Sequence, residues 1–257
     1  MRHSILAILF CLISVQVSFT EPTVNLATLE WEPYIGKNLH NKGYVHELVV
    51  EAFKRSGVRA DIKFFTWARA FRLVEQGLRD GLFPEYYDES RLKNFVFSDS
   101  FLGGPVGLYK RKDSNISYSV NPQSNQTKAL KALEQYRFGV VRGYFNTKAF
   151  DDAKFLKKFE TKNDERNLKK LYYGDVDLIF IDKYVAKHIL LYKHQHFLTE
   201  LEFMEPPLEI KQLHIGFSKK AKGYQTKCEA FNNGLKQLKA SGELDKIFDR
   251  HFISAYD

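Results

Sequence analysis

Cysteine is almost missing from this chain: there are two among 257 residues. Cys11 sits in an apolar N-terminal stretch, and only Cys228 lies in the body of the chain. A single thiol makes neither an intramolecular disulfide nor a cysteine metal site, so stability has to come from an apolar core. Beyond residue 21 no apolar run approaches the ~20 residues of a spanning helix, which predicts a soluble body. There is no arginine-rich stripe either. The 39 Lys+Arg and 31 Asp+Glu are scattered, with small clusters such as Lys157-Lys158 and Lys219-Lys220. Scattered charge reads as solvated surface and argues against a nucleic-acid track. A Gly-rich phosphate loop, a GxSxG elbow and an HExxH pair are also missing. No cofactor is expected.

What is present begins with a leader. Arg2 and His3 precede a charge-free apolar stretch from Ile5 to Val17. Ser18-Phe19-Thr20 then places small residues three and one positions before Glu21-Pro22. That layout predicts a secretory signal peptide over 1–20 and a mature periplasmic protein of net charge about +7. Phe10, bulky where a small residue is expected, argues against a lipid anchor at Cys11. The sequons at Asn115 and Asn125 matter only in a eukaryotic secretory pathway, which no other feature supports.

The most informative stretch is 174–182, Gly-Asp-Val-Asp-Leu-Ile-Phe-Ile-Asp. Leu178 to Ile181 is too short for a helix and reads as a buried strand, with Asp182 at its carboxyl end and a helix behind it. Ligands bind at that edge of open α/β sheets. Upstream, Gly77 to Phe83 repeats the pattern and leads to Arg91. From Val24 to Phe83 the order is βαβαβ. The helix over 44–55 buries Val45, Leu48, Val49, Ala52 and Phe53, and the next, capped by Thr66, buries Trp67, Ala70, Phe71, Val74 and Leu78 on one stripe. Residues 112–128 carry no period and read as a loop. A second α/β set starts at Phe138, and the tail holds two helices, the last carrying Leu244, Ile247, Phe248 and Phe252. Crossing segments fall near 103–109 and 209–216. The expected fold class is α/β, with two lobes joined by two crossing strands and a ligand cleft between them.

These pieces, in this order, resemble family 3 of the bacterial extracellular solute-binding proteins, with the type II periplasmic-binding fold. The resemblance rests on Trp31-Glu32-Pro33-Tyr34, Gly43 to Leu48, Asp80-Gly81-Leu82-Phe83, Arg91 with Phe97 to Phe101, Phe138 to Gly143, Gly174 to Asp182, and Leu235 to Phe252. It covers nearly the whole mature chain. It implies one lobe of 21–104 with 215–257 and another of 105–214. It also implies a monomer that hands a small solute, an amino acid or related zwitterion, to the membrane permease of an ABC-type transporter. In amino-acid-binding members an arginine placed like Arg91 holds the ligand carboxylate, an aspartate placed like Asp182 holds its amine, and an aromatic placed like Trp31 packs on it. The chain departs from the family pattern at Glu85 and Tyr86, where small residues are usual, at Tyr144-Phe145, where Thr or Ser is common, and at Val45, where an acid is common. These departures bear on the ligand more than on the fold.

The expected ligand-binding set is therefore Trp31, Tyr34, Glu85, Tyr86, Arg91, Arg142, Tyr144 and Asp182. Arg91 offers a planar fork for a carboxylate, or else a surface pair with Asp88 or Glu89. Asp182 takes an ammonium group, or caps the helix that follows it. The aromatics supply flat walls. Buried Glu85 needs a cationic partner, either an internal arginine or the ligand. Arg142 beside Gly143 stands where free backbone amides favour an anion. His194 and His196 alternate on a segment that reads as extended, without an acidic or cysteine ligand, so no metal is expected. Two rival functions remain. One is a dehydratase resembling the cyclohexadienyl dehydratases that share the fold, with Glu85 as general acid; the other is a stand-alone sensory binding subunit.

Overall fold

Apolar periodicity builds two sheets. The structure, a computed structural model, describes residues 21–251; the leader with Cys11, and Phe252 in the tail, lie outside the described residues. The first half runs β1 (Thr23–Thr28), α1 (Tyr44–Arg55), β2 (Arg59–Phe64), α2 (Trp67–Glu75), β3 (Gly81–Tyr86), β4 (Phe95–Phe97) and β5 (Pro105–Arg111). The second runs α3 (Gln126–Lys131), β6 (Arg137–Val141), α4 (Lys148–Asp152), β7 (Lys157–Thr161), α5 (Asp164–Tyr172), β8 (Leu178–Asp182), α6 (Lys183–Tyr192), β9 (Leu201–Phe203) and β10 (Glu209–Ile210). β11 (Leu213–Ser218), α7 (Tyr224–Ala240) and α8 (Glu243–Arg250) complete the chain.

The first sheet has the order β2-β1-β3-β11-β4, and the second β10-β5-β8-β6-β7, with β9 also on β5. Each contains the same unit: three parallel strands with the first in the middle, then an antiparallel fourth. The fourth strands are exchanged. β5 ends the first half in sequence yet joins the second sheet, and β11 returns to the first. All five residues of β8 are buried, as expected for a strand covered on both faces.

The exchange makes two crossing segments that pair with each other. Phe101 and Leu213 trade both backbone bonds (2.9 and 3.0 Å), the Lys211 amide donates to Gly104 (2.9 Å), and the Leu208 amide donates to Val106 (2.9 Å). A β-carbon at Gly103 would lie 2.2 Å from the Lys211 carbonyl oxygen, so the two backbones meet there only because residue 103 has no side chain.

Four local expectations change. α2 stops at Glu75, and Gly77 turns the chain at a φ of +77°, so Leu78 leaves the buried stripe and is 66% exposed. Its amide instead closes the helix end on the Leu73 carbonyl (2.9 Å). Thr66 is the N-cap residue of α2, but its hydroxyl makes no capping bond. Residues 126–128 belong to α3 rather than to a loop; that short polar helix starts where the Asn125 side chain accepts from the Lys128 amide, and it shows no apolar period in the sequence. The segment Gln195–Phe197 is a 3-10 turn, not an extended one, and His194 pairs with Glu165 at 2.9 Å. Among the described residues no group of three metal-capable side chains converges.

α1 and α7 pack closely against each other. A β-carbon at Gly234 of α7 would sit 1.8 Å from the Ala52 carbonyl oxygen of α1. Gly234→Ala is therefore expected to lower stability by about 2 kcal/mol or more, although alanine is the better helix former. Thermal melts should show a midpoint lower by roughly 5 °C; a midpoint equal to or above the parent's would contradict this packing.

Candidate functional site

The carboxyl ends of the parallel strands point toward the gap between the two sheets, and the side chains beyond those ends meet there. After β1, a tight turn closed by Trp31 N–H to Ile35 O (2.8 Å) presents Trp31 and Tyr34, whose rings stack 4.7 Å apart. Glu85 and Tyr86 end β3. Asp88 then caps a 3-10 turn by accepting from the Ser90 amide (2.9 Å), and that turn carries Arg91. From the second half, Gly143 and Tyr144 follow β6, Asp164 follows β7, and Asp182 ends β8.

Asp182 does two jobs at once. Its Oδ1 accepts from the amides of Tyr184 (2.9 Å) and Val185 (3.0 Å) and so caps α6. Its Oδ2 accepts from the Tyr34 hydroxyl (2.8 Å) and the Tyr86 hydroxyl (3.0 Å), both from the first half. Asp164 is arranged in a similar way. Its Oδ2 accepts from Trp31 Nε1 and from the Tyr144 hydroxyl, each at 3.2 Å. Trp67 Nε1 donates to the Gly143 carbonyl (2.9 Å), and Arg91 reaches the same carbonyl at 3.2 Å. At the rim, Glu32 pairs across the gap with Lys193 (2.7 Å) and His188 (3.4 Å).

Arg91 is heavily engaged within its own half. It pairs with Glu85 Oε1, lies 3.4 Å from Asp88, and covers the Phe71 ring at 4.8 Å. Glu85 Oε2 is buried and, among the described residues, has no hydrogen-bond partner. Trp31, Tyr34, Glu85, Tyr86, Arg91, Tyr144 and Asp182 thus form one cluster. Arg142 stands outside it, with its side chain 71% exposed and paired to Glu160 at 2.6 Å. Asp164 joins the cluster although no motif singled it out. The one hint was positional: it follows a strand end on the same sheet edge as Asp182.

The largest space here is a groove open to solvent, lined by Trp31, Trp67, Tyr144, Asp164, Lys162 and Arg166, and two smaller spaces, each partly open to solvent, adjoin it. One of about 330 Å³ is bounded by Trp31, Trp67, Glu85, Tyr86, Tyr144 and Phe145. The other, of about 250 Å³, shares the aromatic wall and adds Asn146, Asp164, Phe180 and Asp182. Burial acts on three carboxyls here. It pushes Asp182 up to about 6 against the pull of the α6 amides and two tyrosines. It pushes Asp164 up to about 7 against Tyr144 and Trp31, with Asp182 adding to the rise. Glu85 is likewise pushed up to about 7 by burial, against the pull of Arg91.

This arrangement is that of a two-lobed binding cleft, and sequence comparison agrees. The model of the bacterial extracellular solute-binding proteins, family 3, matches residues 26–254. The chain belongs to that family. No curated protein sequence matches it. Several solved structures share the fold at low identity. The substrate-binding protein of an amino acid ABC transporter is 18% identical with a TM-score of 0.70, covering 90% of this chain and 99% of that one. A histidine kinase sensor domain with similarity to periplasmic binding proteins is 16% identical with a TM-score of 0.74, covering 89% and 95%. An ancestral arginine-binding protein bound to arginine is 21% identical with a TM-score of 0.71, covering 90% and 98%.

The family is one of extracellular binding proteins, and among the described residues no helix is long and apolar enough to cross a membrane. In this solute-binding protein the buried acids make stability depend on pH. A carboxyl whose native pKa is raised holds its proton longer when folded than when unfolded. Its contribution is fully present below the ordinary carboxylate range and is lost as pH rises through about 7 for Asp164. An amide at that position cannot ionise. Ligand-free Asp164→Asn should therefore melt above the parent at pH 8, by roughly 5 °C or more, with the gap closing toward pH 4. Differential scanning calorimetry across that range checks it, and a constant gap would remove the assigned cause.

Proposed function

We propose that this protein captures a small polar solute, an amino acid or related zwitterion, between its lobes and delivers it to the membrane permease of an ABC-type transporter. The lobes are taken as 21–104 with 215–257 and as 105–214, and the mature protein as a periplasmic monomer exported by the leader at 1–20. Family membership supports the binding role, and the names of two of the similar structures, an amino acid ABC transporter's binding protein and an arginine-binding protein, support the ligand class.

The observation that carries the reading is the position of Asp182. A carboxylate buried between the lobes, with one oxygen held by the helix and the other facing hydroxyl donors from the opposite lobe, is ready to receive an ammonium group. The ligand then takes over part of what the tyrosine hydroxyls do now, and lobe closure depends on its presence. Trp31, Tyr34, Tyr86 and Tyr144 provide flat contact area, and Arg91 with Glu85 lines the first-lobe side.

Calorimetric titration with a panel of amino acids and amines tests this, with Asp182→Asn as the variant. The amide keeps an oxygen for the α6 cap and loses the charge. Affinity for the bound member of the panel should fall roughly 100-fold. Equal affinity in parent and variant would remove Asp182 from the binding site.

A further inference from the structure

The charges around the cleft do not balance, and the imbalance identifies the ligand further. Four carboxylates lie on or beside its walls: Glu85, Asp88, Asp164 and Asp182 are all buried. Arg91 is shared between Glu85 and Asp88. Lys211, on the crossing segment, lies over the rings of Phe145 (4.7 Å) and Tyr86 (5.8 Å), but its ammonium is paired with Glu209 at 3.1 Å. The rim cations Lys193 and His188 go to Glu32, and Lys169 and His194 go to Glu165; Lys162 and Arg166 line the outer groove beside Asp164, but both are exposed to solvent while Asp164 is buried. Among the described residues, Asp164 and Asp182 receive hydrogen bonds from aromatic side chains and backbone amides, and no lysine, arginine or histidine pairs with either. Glu85, paired with Arg91 through Oε1, leaves its buried Oε2 without a hydrogen-bond partner among the described residues, on the wall of the neighbouring space.

Buried anions without cations are costly unless something charged completes them. The aromatic shell fits the same partner. Trp31, Tyr34, Tyr86 and Tyr144 present ring faces and edges around both aspartates, and such walls attract organic cations. We propose that the solute is an organic cation with two positive centres, one met by Asp182 and the other by Asp164, and that Asp164 sets this preference. Ligand-free, the indole and the tyrosine hydroxyls occupy those oxygens as weak neutral donors. The solute's ammonium or guanidinium groups replace or join them. Basic amino acids and diamines share this chemistry; they differ in whether Arg91 also meets a carboxylate. The inference rests on the proposed solute-binding role and narrows it.

The experiment is isothermal titration of the intact mature protein at pH 7.5 with L-lysine, L-arginine, 1,5-diaminopentane, L-glutamine and L-glutamate. At least one dicationic compound should bind roughly 10- to 100-fold more tightly than glutamine or glutamate. Binding of diaminopentane alone assigns a ligand without a carboxylate, and binding of lysine or arginine alone assigns a basic amino acid; either supports the inference. In Asp164→Asn the dication's affinity should fall at least roughly tenfold, and by more than that of glutamine; a loss no larger than glutamine's would overturn the role given to Asp164. Glutamine or glutamate binding as tightly as every dication would overturn the charge argument and leave the solute-binding role standing. A panel in which nothing binds would overturn both. The parent protein's ranking decides the matter even if the variant fails to fold.

Discussion

One carboxylate ties this molecule together. Asp182 ends the most deeply buried strand of the second sheet, starts a helix with one oxygen, and joins the opposite sheet's tyrosines with the other. Each of these demands constrains the others. The cap fixes the rotamer, the rotamer aims Oδ2 across the gap, and the gap's width is then set by two phenol hydroxyls. A side chain placed so rigidly recognises a partner without first having to be ordered, which is the general advantage of a preorganised site.

The aromatic shell and the buried acids belong to one arrangement. Tyrosine and tryptophan offer large apolar faces and a single donor each, so they can line a cavity and still satisfy an anion. Trp31 does both: it stacks on Tyr34 and donates to Asp164 across the gap. These donors are neutral and leave the aspartates' charge uncompensated. Burial raises the proton affinity of Asp164 and Asp182, and these neutral donors offset that rise only in part. The rim differs. There Glu32 meets Lys193, whose side chain is half-exposed, in a contact that salt weakens.

Much of the fold was legible in the sequence because its signals were local. Gly174 to Asp182 read directly as a strand with an acid at its end, and α1 followed its apolar spacing over 44–55. The cleft was harder to read. Asp164 lies in the first turn of a helix, where acids are commonplace, so nothing local distinguished it. Arg91 and Glu85 are six residues apart, and only the turn that follows β3 brings them together. Arg142 looked suited to an anion beside a glycine turn, yet its side chain faces outward to Glu160 on the neighbouring strand. Leu78 kept the helical period but lost its helix at Gly77. Which face a turn presents depends on a few backbone angles, and these leave little trace in composition.

The strand exchange also governs how the polypeptide can assemble. β11 sits between β3 and β4, and among the described residues β4 has no other strand beside it. Until residues 213–218 have been synthesised, the N-terminal sheet carries a gap one strand wide and an orphaned edge. The central stretch from β5 to β10 has all its strands by residue 210. Because domains form as their sequence becomes available, the middle of the polypeptide reaches its final shape ahead of its beginning.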